Sequence, residues 1–284
     1  MILQEALQSA TQTLHRAGIA DASVEAELLL GHVLGISRTR LYTEPERSLT
    51  SAEAERLRHL IGRRLAHEPT AYILGHCEFY GLDFRIDSRT FIPRPETELL
   101  VEEAVELARH ISRQEEQVII ADIGTGCGAI AISLALALPQ ARIYATDISV
   151  SALQIAEMNC RRHAVRDHVE LLQGNLLEPL PQPVDILVAN LPYIKGLEFK
   201  DLSPEIIDYE PMIALAGGED GLDKIRQMLQ QTPGKVNRRA YLLLEIGQGQ
   251  GEMVTSLAKG CFPQASIELV SDLGGVERLV KVGL

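Results

Sequence analysis

Apolar residues recur at helical spacing over residues 2–16, 22–34 and 51–66, which predicts three helices. Asp21 and Thr50 or Ser51 stand where N-caps are needed, and Gly18 and Gly35 where helices stop. Together these segments predict a small helical domain, residues 1–75, of a size that forms a separate unit. Residues 77–86 alternate around Gly81 and predict a β-hairpin within a linker of residues 76–91. Ile92-Pro93-Arg94-Pro95-Glu96-Thr97-Glu98 follows, where two prolines fix the backbone ahead of a helix running from near Glu96 to about His110.

From residue 117 the period changes. Strands are predicted at 118–123, 142–147, 168–172, 184–189, 240–246, 265–271 and 277–283, and helices at 129–137, 149–161, 221–231 and 250–259. This alternation predicts an α/β domain over residues 92–284, a mostly parallel sheet with helices on both faces. The last two strands have no helical pattern between them and are expected to pair antiparallel. Residues 123–141 carry no charge, so hydropathy alone would suggest a membrane span. Their three glycines and a proline fit better with a glycine loop feeding a buried helix.

Composition narrows the function class. Of 284 residues, 46% are hydrophobic and 23% charged, the balance of a soluble globular protein. The net charge of −12 argues against a duplex nucleic acid as partner, since such binders carry a basic footprint. Residues 1–75 carry eight arginines against nine acidic side chains, so this part alone is close to neutral and suited to an anionic partner. Cys77, Cys127, Cys160 and Cys261 form no CxxC pair and are expected as free thiols in a reducing cytoplasm. The histidines show no ligand spacing, so no metal site is expected. A basic flank followed by an apolar run is missing at the N-terminus, so no signal peptide and a cytoplasmic, membrane-free location are expected.

Two segments carry chemistry. The strand Val118–Ile123 ends in Gly124-Thr125-Gly126-Cys127-Gly128 and opens a helix. Glycines there let the backbone turn tightly and approach a ligand beyond the carboxyl end of the strand. Gly124 to Ala129 also fits the dinucleotide pattern G-x-G-x-x-A, and Asp147, 19 residues after Gly128, could hold ribose hydroxyls in either kind of cofactor. Asp122 tips the reading, because a carboxylate at the strand end suits a cationic ligand such as S-adenosylmethionine and not an anionic pyrophosphate. The strand Val184–Ala189 runs into Asn190-Leu191-Pro192-Tyr193. The Asn190 side-chain oxygen and the Leu191 carbonyl can each accept one N–H bond from a planar NH2 group. Pro192 stiffens the turn, and Tyr193 offers a face for an amide or a base. Accepting both N–H bonds returns electron density to the nitrogen and fixes it in line for a one-step displacement, where positioning carries much of the rate. Alone, this segment reads as an ordinary turn; paired with the glycine loop, it reads as a methyl-acceptor site.

With these residues in view, the chain resembles the peptide-chain release factor glutamine N5-methyltransferases, the PrmC/HemK family. The likeness covers nearly the whole chain: the helical segment and hairpin, residues 92–98, the glycine loop, Asp147, and the run from Glu210-Pro211 to Asp223. It implies a seven-stranded Rossmann-like class I methyltransferase domain behind the small helical domain, which would dock the substrate protein. It also implies S-adenosylmethionine as cofactor, class 1 release factors as substrates, and methylation of the glutamine in their Gly-Gly-Gln motif by a monomer that binds no nucleic acid stably. By position, Gly124, Thr125, Gly126, Cys127 and Gly128 line the methionine moiety, Asp147 holds the ribose, Asn175-Leu176 border the adenine, and Asn190 to Tyr193 hold the glutamine amide, with Asn190 also bordering the cofactor. The usual family motif is Asn-Pro-Pro-Tyr; Leu191 here keeps the carbonyl and loses the fixed φ, which predicts a looser loop. Asn175-Leu176 lacks the acidic or aromatic residue common at that place. The 92–98 loop is either a lid or a rigid connector, with Arg94 and Glu96 as candidates. Two other readings use the same features: an adenine N6-methyltransferase on DNA or RNA, disfavoured by the acidic charge, and a binding module without turnover.

Overall fold

The structure, a computed structural model, describes residues 1–112 and 117–284. The chain forms two compact units: Met1–His76 with Ser203–Tyr209, and Cys77–Leu202 with Glu210–Leu284.

The first unit holds α1 (Leu3–Arg16), α2 (Ala22–Leu34), α3 (Arg38–Thr43), α4 (Ser51–Leu65) and α5 (Thr70–Leu74). Leu3, Ala6, Ala10 and Leu14 form the buried stripe of α1, and they meet Ala26, Leu29, Leu30 and Val33 of α2 in one core. Gly35 closes α2 in the left-handed conformation, as its position predicts. Asp21 sits at the N-cap of α2 but its side chain makes no capping bond. Thr50 does cap α4: its hydroxyl accepts from the Glu53 N–H at 3.2 Å and the Glu53 carboxylate accepts from the Thr50 N–H at 2.8 Å. A Thr50→Ala substitution is expected to cost this unit about 1 kcal/mol, measured as a lower urea midpoint.

Arg64 of α4 is almost fully buried between the carboxylates of Glu25 and Glu205. Glu205 comes from α9 (Pro204–Tyr209), a helix that sequence periodicity missed because it spans six residues. Tyr209 adds a bond from its hydroxyl to the Ala66 carbonyl at 2.7 Å. A buried guanidinium needs its charge paired, so Arg64 ties this late segment to the first unit.

In the second unit β1 (His76–Phe79) and β2 (Leu82–Arg85) form the hairpin, with Tyr80 and Gly81 both at positive φ in a two-residue turn. A 3-10 turn over Pro95–Thr97 leads into α6 (Glu98–Ser112), so the α-helix starts two residues later than the prolines suggested. Then follow β3 (Ile119–Ile123), α7 (Ala129–Ala137), β4 (Arg142–Asp147), α8 (Val150–Arg162), β5 (Val169–Gln173), β6 (Val184–Ala189), α10 (Met212–Leu215), α11 (Asp223–Gln231), β7 (Val236–Glu245), α12 (Gly251–Cys261), β8 (Ser266–Ser271) and β9 (Glu277–Gly283). The seven strands β3–β9 form one sheet in the order β5-β4-β3-β6-β7-β9-β8. The pairs from β5 to β7 are parallel, and β9 inserts antiparallel between β7 and β8. The chain therefore winds outward from β3 through β4 to β5, then returns to β6 on the other side, which makes a topological switch point between β3 and β6.

The uncharged stretch 123–141 is explained by α7. Ala129 to Ala135 are all buried, so this helix has no polar face to offer. At nine residues it is far too short for a bilayer, and among the described residues no helix is long and apolar enough to cross a membrane.

Candidate active site

Strands β3 and β6 are neighbours in register, with Asp122 opposite Val188 and Ile123 opposite Ala189. The two loops singled out in the sequence therefore leave the sheet side by side. Gly124, Gly126 and Gly128 all take positive φ. At Gly128 a side chain would also meet Ile132 at 3.1 Å and Ala156 at 3.3 Å, so this glycine serves both the turn and the seating of α7 on α8. The loop is held from below, because the N–H groups of Gly124 and Thr125 both donate to the Thr146 carbonyl at 2.9 Å.

Two carboxylates organise this loop. Asp122 is fully buried; one oxygen accepts from the Thr125 hydroxyl at 2.6 Å and from the Ala131 N–H at 3.2 Å, and the other has no hydrogen-bond partner. Burial pushes its pKa up to about 7, against the pull of the two bonds, with Asp147 adding repulsion. Closed off in this way, Asp122 shapes the loop from within. Asp147, at the end of β4, accepts from the Gly126 N–H at 2.9 Å and the Ser149 N–H at 2.8 Å, and burial raises its pKa despite those bonds. The Cys127 thiol is buried, and its carbonyl accepts from the Asn159 amide at 2.8 Å.

Beyond β6, Leu191 is 3% exposed and belongs to the core of the unit. Its Cδ2 would stand 3.3 Å from a Cβ on Gly124, so the two loops touch here. Burial of the leucine side chain anchors a position where the resemblance implies a proline ring. The Tyr193 carbonyl accepts from the buried Gln250 side chain at 3.0 Å, and Gln250 in turn accepts from the Gly247 N–H at 2.8 Å. The run 215–218 braces the same loop through Ile194 N–H to Leu215, Gly217 N–H to Ile194 and Gly196 N–H to Gly218. Only glycine fits at 221, where a Cβ would lie 2.4 Å from the Tyr193 carbonyl oxygen. This gives the stretch after Glu210-Pro211 a physical purpose: it is the brace of the Asn-Leu-Pro-Tyr loop.

The 92–98 segment is tied down along its length. Glu210, itself buried, accepts from the Ile92 N–H at 3.2 Å and pairs with Arg94, whose guanidinium also stacks over Phe91 at 4.7 Å. Asn190 donates its amide N–H to the Thr97 hydroxyl at 3.0 Å. The carboxyl of Glu245, at the end of β7, takes bonds from both Thr97 and Asn190. Arg94 thus has a bracing contact, and Glu96 is half-exposed, 3.9 Å from Arg278. Thr97 and Glu210 lie in stretches quoted from the sequence but had no role there, and Glu245 and Gln250 were not singled out; for Glu245 the signal was a charge directly after the apolar run Leu242–Leu244.

Asn175 and Leu176 lie just past β5, the strand next to β4. The Asn175 amide donates to Glu178 at 2.9 Å, and Leu176 is buried in the core at positive φ. Both side chains are therefore engaged within the protein, and backbone groups are what these positions present.

Residues 5–75 match the family profile described as the PrmC N-terminal domain, and residues 104–219 match the methyltransferase small domain. The chain is 41% identical to the release factor glutamine methyltransferase of Moorella thermoacetica, over 98% of this chain and 97% of that protein. It is 36% identical to that of Bacillus cereus, over 99% and 98%. Among solved structures, the hMettl16 catalytic domain in complex with a 3'UTR hairpin superposes with a TM-score of 0.58 at 15% identity, covering 85% of this chain and 84% of that one. The N-terminal domain of human METTL16 in complex with SAH gives a TM-score of 0.51 at 17% identity, over 72% and 76%. Likeness at that level of identity speaks for the methyltransferase fold alone.

Proposed function

The chain belongs to the release factor glutamine methyltransferases, and from that premise we propose that it methylates N5 of the glutamine in the Gly-Gly-Gln motif of class 1 release factors, with S-adenosylmethionine as methyl donor. The observation that carries this reading is the meeting of the two loops at adjacent strand ends, Gly124 against Leu191. A donor pocket and an acceptor pocket are needed within reach of one another, and the switch point of an open parallel sheet supplies that arrangement.

The residues present fit the cofactor. The glycine loop offers bare backbone at Gly126, where a Cβ would meet nothing within 4 Å. Asp122 leaves an unpartnered buried oxygen behind that loop, a negative field suited to a cationic ligand. Gly124 to Gly128 and Asp147 would hold the cofactor, with the backbone of Asn175 and Leu176 beside the adenine. When bound, it supplies an electrophilic methyl group on a sulfonium sulfur.

This chain's own residues prepare the nucleophile. An amide nitrogen is weak because its lone pair is shared with the carbonyl. The Asn190 oxygen and the Leu191 carbonyl each accept one substrate N–H, which draws density back to nitrogen and fixes its direction. Pro192 has no N–H to compete for those carbonyls, and the Tyr193 ring provides a packing face. We assign docking of the protein substrate to the helical unit, whose residues 1–75 carry eight arginines against nine acidic side chains in an otherwise acidic chain.

Incubation of the full chain with purified release factor and methyl-labelled cofactor, followed by mass mapping, tests the reading. Label on the Gly-Gly-Gln glutamine is expected; label on any other residue overturns it. A Leu191→Pro variant is expected to stay active within a few-fold, since the carbonyl is kept, and to lose about 1–3 kcal/mol of stability with the buried side chain. Loss of activity in that variant would refute the role given to the Leu191 carbonyl.

A further inference from the structure

Three separate segments converge behind Asn190. Thr97 comes from the turn before α6, Asn190 from the end of β6, and Glu245 from the end of β7, where Ala189 and Leu244 are paired in register. Thr97 is 4% exposed and Glu245 5%. The Asn190 N–H donates to the Thr97 hydroxyl at 3.0 Å, and Thr97 and Asn190 both bond to the Glu245 carboxyl. A hydroxyl that accepts from Asn190 has its own hydrogen to give to the carboxylate, so the bonds all run one way, toward Glu245.

We infer that Thr97 and Glu245 are positioning residues that lock the Asn190 amide with its NH2 end inward, leaving its oxygen as the acceptor for the substrate nitrogen. The inference rests on the methyl-acceptor reading of Asn190 given above. An asparagine amide is nearly symmetric in shape, and only its hydrogen-bond partners decide which end faces which way. A turned-over Asn190 would present N–H donors to a substrate NH2 group, and no bond could form. A carboxylate that can only accept is the group that forbids that turn. Its burial is costly, and its second oxygen has no partner, so the strand end would be better served structurally by an apolar side chain.

The same arrangement carries a pH signature. Burial pushes the Glu245 carboxyl up to about 7; Glu96 adds to the rise, while Arg278 and the bonds from Thr97 and Asn190 oppose it. Tyr193 also lies within its field. Protonated, Glu245 loses the negative charge that holds the two donors toward it, and the lock weakens. Turnover is therefore expected to rise with pH through about 7.

Single-turnover methylation of purified release factor by the full chain, from pH 5.5 to 9, tests this in the parent, Glu245→Gln, Thr97→Val and Thr97→Ser. Calorimetric cofactor binding and thermal melting run beside it. Glu245→Gln is expected to lose the limb near pH 7 and to fall roughly tenfold in the saturating single-turnover rate constant at pH 8, with the half-saturating concentration for the reaction and the cofactor Kd within about twofold. Thr97→Val should fall similarly, and Thr97→Ser should recover. An active parent whose Glu245→Gln variant keeps both the limb and the rate overturns the positioning role, and assigns the limb to Asp122, which titrates in the same range. A folded parent that transfers no methyl to release factor overturns the functional reading itself.

Discussion

An Asn190→Ala enzyme is expected to methylate release factor roughly a thousandfold more slowly than the parent while binding S-adenosylmethionine within a few-fold of it. Two losses combine. The substrate nitrogen loses one of the two acceptors that return electron density to it, and it loses the fixed direction that in-line displacement needs. Thr97 and the buried Glu245 are left without the amide that they hold, which adds a local cost. The glycine loop and Asp147 are untouched, so cofactor affinity should survive. Calorimetry with the cofactor and a labelled-methyl assay separate the two quantities. Equal losses of binding and turnover would place Asn190 in the cofactor pocket and away from the acceptor.

Asp122→Asn is expected to make the cofactor-free protein more stable above pH 7 and a poorer binder of its cofactor. The folded pKa of about 7 stands above the ordinary 3.8 because the carboxyl is buried. Between those values the folded chain binds a proton that the unfolded chain does not, so stability falls as pH rises through that window and is lowest above it. The displacement corresponds to roughly 4 kcal/mol. Asparagine removes that penalty but leaves its NH2 group at the unpartnered position, which costs about 1–2 kcal/mol. A net gain of about 2 kcal/mol at pH 8, or about 5 °C in melting temperature, should remain. At pH 5 the parent carboxyl is already protonated, and the gain should vanish. Cofactor affinity should drop about tenfold at pH 8, because a negative field behind the loop is lost. A gain of equal size at pH 5 and pH 8 would refute this account.

The parts of the site that were legible in the sequence are those made by local geometry. Gly124, Gly126 and Gly128 declare their turn through residue type, and Asp122 and Asp147 announce themselves as charges at the ends of apolar strands. The parallel sheet and the antiparallel pairing of its last two strands followed from the alternation of elements, whereas the insertion of β9 between β7 and β8 did not. What escaped were contacts between residues far apart in the chain. Gln250 reaches the Tyr193 carbonyl, Glu210 holds Ile92 and Arg94, and Glu245 gathers Thr97 and Asn190. None of these follows from periodicity. In the 92–98 segment the charged Arg94 and Glu96 drew the eye, and the residue in contact with Asn190 is the uncharged Thr97 between Glu96 and Glu98. Glu245 was within reach of the reasoning applied to Asp122, since both follow a buried apolar run. The short helices α9 and α10 had too few residues for a period to show, and α9 is held by partners from another part of the chain.

Arg64 and its two carboxylates also bear on how the polypeptide divides. The backbone leaves the helical unit after His76, returns to it for Ser203–Tyr209, and departs again at Glu210. A catalytic fragment beginning at residue 77 would carry α9 without the guanidinium that neutralises Glu205, and a helical fragment ending at residue 76 would keep Arg64 buried with one counter-charge of its two. Leaving a buried cation half-compensated destabilises by several kcal/mol. The helical unit is therefore not a contiguous module that recombination or limited expression could lift out intact.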